Sequence, residues 1–352
     1  MHTRPNGFML LDALRRQAGS VADTWGLGPV ETPWRQVASL GAARLRAYHR
    51  KKADGPALLI IPAPFKRPYI WDLHPAVSVV RACLARGLRV FLLEWLRPNA
   101  DQNTLGLGDY ALDMPERAVA AIRSETGAVP VHLAGHSLGG TFAAIFASRR
   151  PGLVGRLALV DAPLAFAEDG GPLAAAVARI PPVDGWAEAK GRPVAGSAIN
   201  LMSGTAAREA FVWQRRADFL ASLASPDALA LHARVERWTL DEFPLPAQLF
   251  RDLAEDLYRD DRFRRGTLRL GSETAALAQL KAPVLAVLNP AGRIVPPDSI
   301  LKGLRIAGSS EQRLLHYEPE TGVLLQHLGP LVGRAAHRRL WPQIIGWIST
   351  GH

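Results

Sequence analysis

The chain has 352 residues and 48% of them are hydrophobic, which allows one large α/β domain with an insertion or two ordinary domains and excludes global disorder. Cys83 is the single cysteine, which excludes an intramolecular disulfide and a multi-cysteine zinc site. The net charge of +10 comes from scattered basic residues without an aromatic-interleaved patch, a pattern that does not favour nucleic-acid binding.

The beginning of the chain does not have the pattern of a secretory signal. Its apolar stretch, Met9-Leu10-Leu11, is short and is followed by the charged Asp12 and Arg15. We find no run of about 18 apolar residues, so we predict no transmembrane helix. A lone cysteine suits a reducing compartment, and we therefore expect a cytoplasmic protein.

Short apolar runs alternate with longer segments of helical periodicity, which predicts an α/β core with a mostly parallel sheet flanked by helices. The predicted strands are 57–61, 89–93, 129–134, 157–160, 283–288 and 313–317, and the predicted helices are 75–86, 110–124, 138–148 and 331–349. We predict a helical or extended segment over 1–50, a core over 51–165 and 281–352, and a helical cap insertion over 166–280.

The run Gly135-His136-Ser137-Leu138-Gly139 places a serine between a predicted strand and a predicted helix. A nucleophile in such a tight turn needs small residues two positions away on either side, because side chains there would clash with neighbouring backbone. Ser137 is therefore the predicted nucleophile, and the Leu138 amide at the helix N-terminus is the first predicted oxyanion donor. The alternative is a structural serine in a ligand-binding strand–helix turn.

A second oxyanion donor is expected in the loop after the strand at 57–61. That loop begins Pro62-Ala63-Pro64-Phe65, and proline has no N–H group to donate. The donor is therefore Ala63 or Phe65, and we predict Phe65.

The general base is expected after the last strand of such a sheet. His327 lies in the loop between the final predicted strand and helix and is the predicted base. His316 falls inside a predicted strand, and His337 lies in an arginine-rich helix where a solvated face is the simpler interpretation. His136 neighbours the nucleophile, and we assign it to packing or to the lining of a pocket.

The acid that orients the base has several candidates. The loop after the strand at 283–288 contains no carboxylate, although Asp298 follows slightly late as a helix-start residue. Asp161 follows the strand after the nucleophile helix, and it is our predicted acid, although a turn-forming role is an alternative. Asn289, or no acid at all, remains open, since a serine–histidine pair retains some activity.

Several segments resemble the polyhydroxyalkanoate synthase and depolymerase group of α/β hydrolases, over roughly residues 45 to 350. The segments that carry this resemblance are 62–66, 69–73, 90–95, 98, 109–110, 135–166, 250–258, 262–263, 266 and 294–296. His327-Leu328-Gly329 also fits the histidine position of that family. The resemblance to the synthases implies a cysteine nucleophile at the position that Ser137 occupies in this chain. It also implies an aspartate at the position of Gly292.

These departures favour hydrolysis over polymer growth, because a thiolate suits the passing of an acyl thioester. We predict a serine carboxylic-ester hydrolase acting on hydrophobic or hydroxyalkanoate-type esters, without a cofactor or a metal. Trp186, Trp213 and Trp238 are interpreted as pocket lining or as cap core. Alternatives are an acyltransferase, and a catalytically weak member that binds a granule surface or a partner through the amphipathic stretch 8–16.

Overall fold

The computed structural model describes residues 7–48, 54–182, 192–320 and 326–350. A single eight-stranded sheet organises this part of the chain. Its strands are β1 (Arg35–Ser39), β2 (Ala43–Ala47), β3 (Ala57–Ile61), β4 (Arg89–Trp95), β5 (Val131–His136), β6 (Val154–Val160), β9 (Val284–Leu288) and β10 (Gln312–His316), and a separate hairpin consists of β7 (Leu268–Leu270) and β8 (Glu273–Ala275). The strand order in the sheet is β1-β2-β4-β3-β5-β6-β9-β10. Strand β2 runs antiparallel to β1 and β4, and the other neighbours are parallel.

Helices cover both faces of the sheet. Their bounds are α1 (Gly7–Thr24), α2 (Val79–Leu84), α3 (Met114–Thr126), α4 (Leu138–Arg149), α5 (Gly171–Arg179), α6 (Gly196–Ala206), α7 (Arg215–Ser222), α8 (Pro226–Thr239), α9 (Ala247–Asp252), α10 (Arg262–Arg265), α11 (Pro297–Ile306), α12 (Gly329–Val332) and α13 (Trp341–Ser349). Turns of π-helix lie at Asp109–Asp113, Glu209–Gln214, Leu253–Arg259 and Ala336–Leu340. Short 3₁₀ turns occupy Pro68–Trp71, Pro75–Val77, Asp101–Thr104, Pro151–Leu153, Ala167–Asp169 and Leu277–Gln279.

The central strands are apolar along their whole length because both faces of the sheet are covered. Every residue of β3 is buried, and successive side chains point to opposite faces. Leu59 and Ile61 belong to one hydrophobic cluster, while Leu58 and Ile60 belong to the other. The predicted mostly parallel sheet flanked by helices is confirmed.

The sequence did not predict three features of this architecture. Strands β1 and β2 form an antiparallel edge in a segment that has no continuous apolar run, since β2 reads ARLRA. The predicted helix at 75–86 is a 3₁₀ turn followed by the short α2. The predicted final helix at 331–349 is broken into α12, a π-helical turn and α13, with Pro342 in the first turn of α13. Over the described residues, no helix has the length and apolar character needed to cross a bilayer.

The described residues from 166 to 280, between β6 and β9, are named the cap segment here. They are predominantly helical and include α5 to α10. Helix α1 packs against this segment, because the buried carboxylate of Asp12 accepts hydrogen bonds from the backbone N–H groups of Gly196 (3.1 Å) and Ser197 (2.8 Å). Two parts of the chain that are far apart in sequence are thereby held together at the start of α6.

Candidate active site

Ser137 occupies the turn between β5 and α4, with φ 54° and ψ −136°. A side chain in this region of φ is strained, and such strain persists only where the surroundings impose it. The flanking glycines show how tight the turn is. A Cβ atom added to Gly135 would lie 2.5 Å from the Gly140 nitrogen, and one added to Gly139 would lie 2.2 Å from the Ile61 carbonyl oxygen. Glycine is therefore required at both positions.

His327 and Asp161 meet beside this turn, with 2.5 Å between His327 Nδ1 and Asp161 Oδ2. Asp161 directly follows β6, and its N–H donates to the Val287 carbonyl at 3.0 Å, so the sheet itself positions the carboxylate. The side chain of Asp161 is buried, and its Oδ1 has no hydrogen-bond partner among the described residues. The contact with His327 is therefore the main compensation for burying this charge.

This contact determines which His327 nitrogen is available for chemistry. Because a carboxylate can only accept, Nδ1 must carry the hydrogen and donate it to Asp161. The lone pair of the neutral ring is then on Nε2. Both His327 and Ser137 line one cavity, which places a base and a hydroxyl at the same opening.

His136, which directly precedes Ser137 in the chain, contacts His327 through its ring. His136 Nε2 donates to the backbone carbonyl of His327 at 2.8 Å, and the two ring centroids are 4.4 Å apart. Burial lowers the pKa of His136 well below its usual value, and the neighbouring His327 lowers it further. His136 is thus neutral and lines the cavity, in agreement with the packing or lining role expected for it.

The other acid candidates make different contacts. The side chain of Asp298 is 66% exposed and is 3.6 Å from Lys302. Asn289 is buried, and its Oδ1 accepts the N–H of Ala291 at 3.0 Å. A Cβ atom at Gly292 would lie 2.4 Å from the Val295 carbonyl oxygen, so this turn has no room for a carboxylate in its present shape.

The two remaining late histidines also lie away from the base position. His316 is exposed at the end of β10. His337 is half-buried, and its Nε2 donates to the Leu331 carbonyl at 2.7 Å, so the solvated position expected for it is wrong. Burial lowers the pKa of His337.

The loop after β3 lies against the turn at Ser137, where a second oxyanion donor is predicted. A Cβ atom at Gly139 would be 2.8 Å from the Ala63 nitrogen, which shows how closely the two segments approach. Ala63, Phe65 and Leu138 all line the same cavity as Ser137. The choice between Ala63 and Phe65 as the second donor stays a prediction.

The cavity has a volume of about 520 Å³ and is lined mainly by apolar side chains from the sheet side and from the cap segment. Trp238 lines it and donates through Nε1 to the Arg67 carbonyl at 2.8 Å. Trp213 is 59% exposed and lies neither in this cavity nor in the core, so both interpretations given for it are wrong. Trp186 lies outside the described residues.

The lining of the cavity includes a pair of charged side chains that the sequence reasoning missed. Lys66 Nζ is 2.9 Å from Glu242 Oε2, and both residues line the cavity. The pair is separated by 176 residues, so no local pattern could predict it. The one feature of the sequence that could have indicated Lys66 as a site residue is its position directly after Phe65.

His136, Asp161 and His327 also form a cluster of metal-ligand types within the described residues. One ligand atom from each lies within 4.8 Å of the others. His136 Nε2 and His327 Nδ1 already hold hydrogen bonds with the His327 carbonyl and with Asp161. A metal ion ligated through these nitrogens would have to break those contacts.

Comparisons with known proteins agree with this architecture. The poly(3-hydroxyalkanoate) polymerase subunit PhaC of Haloferax mediterranei is 26% identical over 333 residues, covering 91% of this chain and 64% of its own length. The subunit of the same name from Allochromatium vinosum is 27% identical over 294 residues, covering 83% of this chain and 80% of the relative. This chain thus spans less than two thirds of the length of the Haloferax relative.

Among solved structures, the enol-lactonase of Burkholderia xenovorans superposes with a TM-score of 0.54 at 14% identity, covering 90% of this chain and 99% of the lactonase. At that identity the likeness is one of fold. The family described as alpha/beta hydrolase fold matches residues 56–302, which include Ser137 and Asp161. The resemblance noted from the sequence motifs is confirmed, and the chain belongs to the α/β-hydrolase fold family, with relatives among the poly(3-hydroxyalkanoate) polymerases.

Proposed function

We propose that this protein is a serine hydrolase that cleaves carboxylic esters through an acyl-enzyme. The observation that supports this most directly is the 2.5 Å contact between His327 Nδ1 and Asp161, made beside a strained Ser137 in one shared cavity. In the neutral ring this contact puts the lone pair on His327 Nε2, which is the atom that can act as a base.

In the proposed reaction, the Ser137 hydroxyl oxygen attacks the ester carbonyl carbon while His327 Nε2 takes the hydroxyl proton. The oxyanion is bound by the Leu138 amide and by the second amide, assigned to Phe65. When the tetrahedral intermediate collapses, the bond to the leaving alkoxide breaks and His327 returns the proton to it. Water then attacks the acyl-enzyme with the help of His327, releasing the carboxylic acid and restoring Ser137.

Asp161 has a positioning role in this scheme. Its carboxylate holds the Nδ1–H tautomer of His327 and stabilises the imidazolium that forms when Nε2 accepts a proton. Helix α4 begins at Leu138, so its N-terminal dipole favours the developing negative charge at the same place.

We propose a hydrophobic or hydroxyalkanoate-type ester as the substrate. The mainly apolar lining of the cavity favours an acyl chain, and the polymerase relatives act on poly(3-hydroxyalkanoate) by name. The lining includes Leu173, Val177 and Ile199 from the cap segment, which suit an aliphatic chain better than a charged one.

A fluorophosphonate probe tests this proposal, because it forms an adduct only with an activated serine. We expect one adduct on Ser137 of the folded protein, with none on the Ser137→Ala variant. The His327→Ala variant should lose both labelling and ester turnover. Folded protein that neither labels nor cleaves any ester would contradict the proposal.

The second candidate is an acyltransferase, in which a hydroxyl or an amine replaces water. The polymerase relatives favour it, because chain growth is acyl transfer to a hydroxyl. The same acyl-enzyme serves both reactions. Incubation with a hydroxyacyl thioester separates them, since free hydroxy acid indicates hydrolysis and lengthened ester indicates transfer.

A further partner we propose is a granule surface. The stretch 8–16 lies in α1, where Leu10 and Leu14 are exposed on the outside, while Asp12 and Arg15 face the cap segment. Exposed apolar side chains continue on the cap segment at Phe219 and Leu220. Co-sedimentation with polyester granules, with a Leu10→Ser, Leu14→Ser double variant as control, tests this partner separately from catalysis.

A further inference from the structure

Lys66 brings a cation into the cavity close to the nucleophile turn. Its loop approaches that turn at Ala63, whose nitrogen would be 2.8 Å from a Cβ atom on Gly139. Three residues of chain span at most about 10 Å, so Lys66 cannot be far from this point. Lys66 and Ser137 line the same cavity.

One of the three N–H groups of the Lys66 ammonium has no hydrogen-bond partner among the described residues. Its Nζ donates to the Thr239 carbonyl at 2.7 Å and to Glu242 Oε2 at 2.9 Å. An ammonium group has three N–H donors, and no third partner for it is present in the described parts of the chain. Because the side chain borders the cavity, the remaining N–H is available to a molecule bound there.

Glu242 also pairs with a second cation. The Nε of Arg15 donates to Glu242 Oε1 at 2.8 Å, and the amide of Asn200 donates to the same oxygen at 3.0 Å. One buried carboxylate thus faces two cations. The neighbouring Asp241 is itself bound by Arg237 at 2.9 Å. Burial lowers the pKa of Lys66, so an additional oxygen ligand would stabilise its charged form.

The two arginines of the cavity wall are also paired with acids. Arg67 is 3.1 Å from Glu94, which it shares with Arg44 and Arg46, and Arg215 Nε is 2.7 Å from Glu236. Lys66 differs from them in burial, because its side chain is 17% exposed, against 37% for Arg67 and 40% for Arg215. In a mostly apolar cavity, a few placed polar groups determine how a ligand is oriented.

We propose that Lys66 is a specificity-determining residue that binds the terminal carboxylate of a short hydroxyalkanoate ester. This inference rests on the proposed ester hydrolysis and names its preferred substrate as an oligomer with a free acid end. A carboxylate accepting a charge-assisted hydrogen bond from the spare N–H of Lys66 positions the adjacent ester bond towards Ser137.

The test compares two dimers of 3-hydroxybutyrate, one with a free carboxylate and one with a primary amide of the same size. We expect the wild-type protein to favour the acid by roughly 10- to 100-fold in kcat/KM, mainly through KM, as a hydrogen bond to a charged group predicts. The Lys66→Met variant should lose this preference while it still cleaves the amide dimer. Lys281→Met, which removes one exposed positive charge outside the cavity, should keep the preference.

Equal cleavage of both dimers by the wild-type protein would overturn the assignment of Lys66 and leave ester hydrolysis intact. The same conclusion follows if Lys66→Met keeps the preference for the acid. Because the wild-type comparison needs no variant, equal cleavage of the two dimers overturns the assignment even if Lys66→Met does not fold. Failure to cleave either dimer, together with no labelling of Ser137, would overturn the ester hydrolase proposal itself.

Discussion

The two walls of the cavity are built by different means. On the sheet side, Ser137 and Asp161 follow adjacent strands, and backbone hydrogen bonds from their N–H groups to Val160 (3.1 Å) and Val287 (3.0 Å) hold them. On the cap side, Glu242 of the cap segment is held by side-chain ion pairs with Lys66 of the loop after β3 and with Arg15 of α1, both far away in sequence.

The difference suggests that the two sides of the cavity serve different purposes. Strand register positions a residue within a rigid, buried lattice, which suits groups whose geometry must be accurate for bond making. The ion pairs instead present charged side chains at the cavity wall, which suits groups that select among substrates. Substitutions on the sheet side should therefore reduce turnover. Substitutions on the cap side should alter the stability of the fold and the preference among substrates.

The largest expected effect is that of Ser137→Ala. Loss of the nucleophile should lower kcat for ester cleavage by roughly 10⁵- to 10⁶-fold, as removal of a triad serine does in other hydrolases. The thermal midpoint should change little, because alanine is smaller and accepts the same turn. Residual turnover within tenfold of wild type would show that the sheet side does not carry the chemistry.

Asp161→Asn tests the second group on the sheet side. Because asparagine favours the wrong His327 tautomer, kcat should fall by roughly 10⁴-fold. Asp298→Asn is the matched control, and it should stay within about twofold since its side chain is exposed. Equal losses in the two variants would remove Asp161 from the proposed triad.

Glu242→Ala tests the cap side. It leaves Lys66 and Arg15 without their shared carboxylate, and breaking a buried ion pair costs about 3 to 5 kcal/mol in the free energy of unfolding. Glu318→Ala removes an exposed pair with Arg339 and should cost about 0 to 1 kcal/mol. Denaturant unfolding of both variants measures the difference, and similar losses would mean that the cap side does not depend on this cluster.

The smallest effect concerns pH and His136. Its pKa in the folded protein lies well below 6.5, so the unfolded state binds more protons at acidic pH. His136 therefore does not reduce the free energy of unfolding above pH 6.5. Below pH 6.5 it lowers that free energy by up to about 1.4 kcal/mol for each pH unit, because the proton binds the unfolded state and not the folded one.

His136→Gln keeps a donor for the His327 carbonyl and should flatten the decline in unfolding free energy between pH 7 and pH 5. His316→Gln changes an exposed histidine and should leave the wild-type slope unchanged. An unchanged slope in His136→Gln would contradict the neutral assignment of His136.

Local chemistry explains why parts of the site could be predicted. The glycines around Ser137 are required by the turn itself, as the close approaches at Gly135 and Gly139 show. His327 could be chosen because it follows the last strand. For the acid, the sequence leaves Asp161, Asp298 and Asn289 open, since each follows a strand and their distances to the base depend on strand order.

The sequence by itself determined the parallel core, the turn around Ser137 and the order of the candidate residues, because these depend on hydrophobic periodicity and on the steric needs of a tight turn. The tertiary structure decided which carboxylate meets His327, since β6 pairs with β9 in a register that places Asp161 beside this histidine. It also decided the antiparallel edge and the Lys66–Glu242 pair, because contacts between segments 176 residues apart form only when the sheet and the cap segment come together.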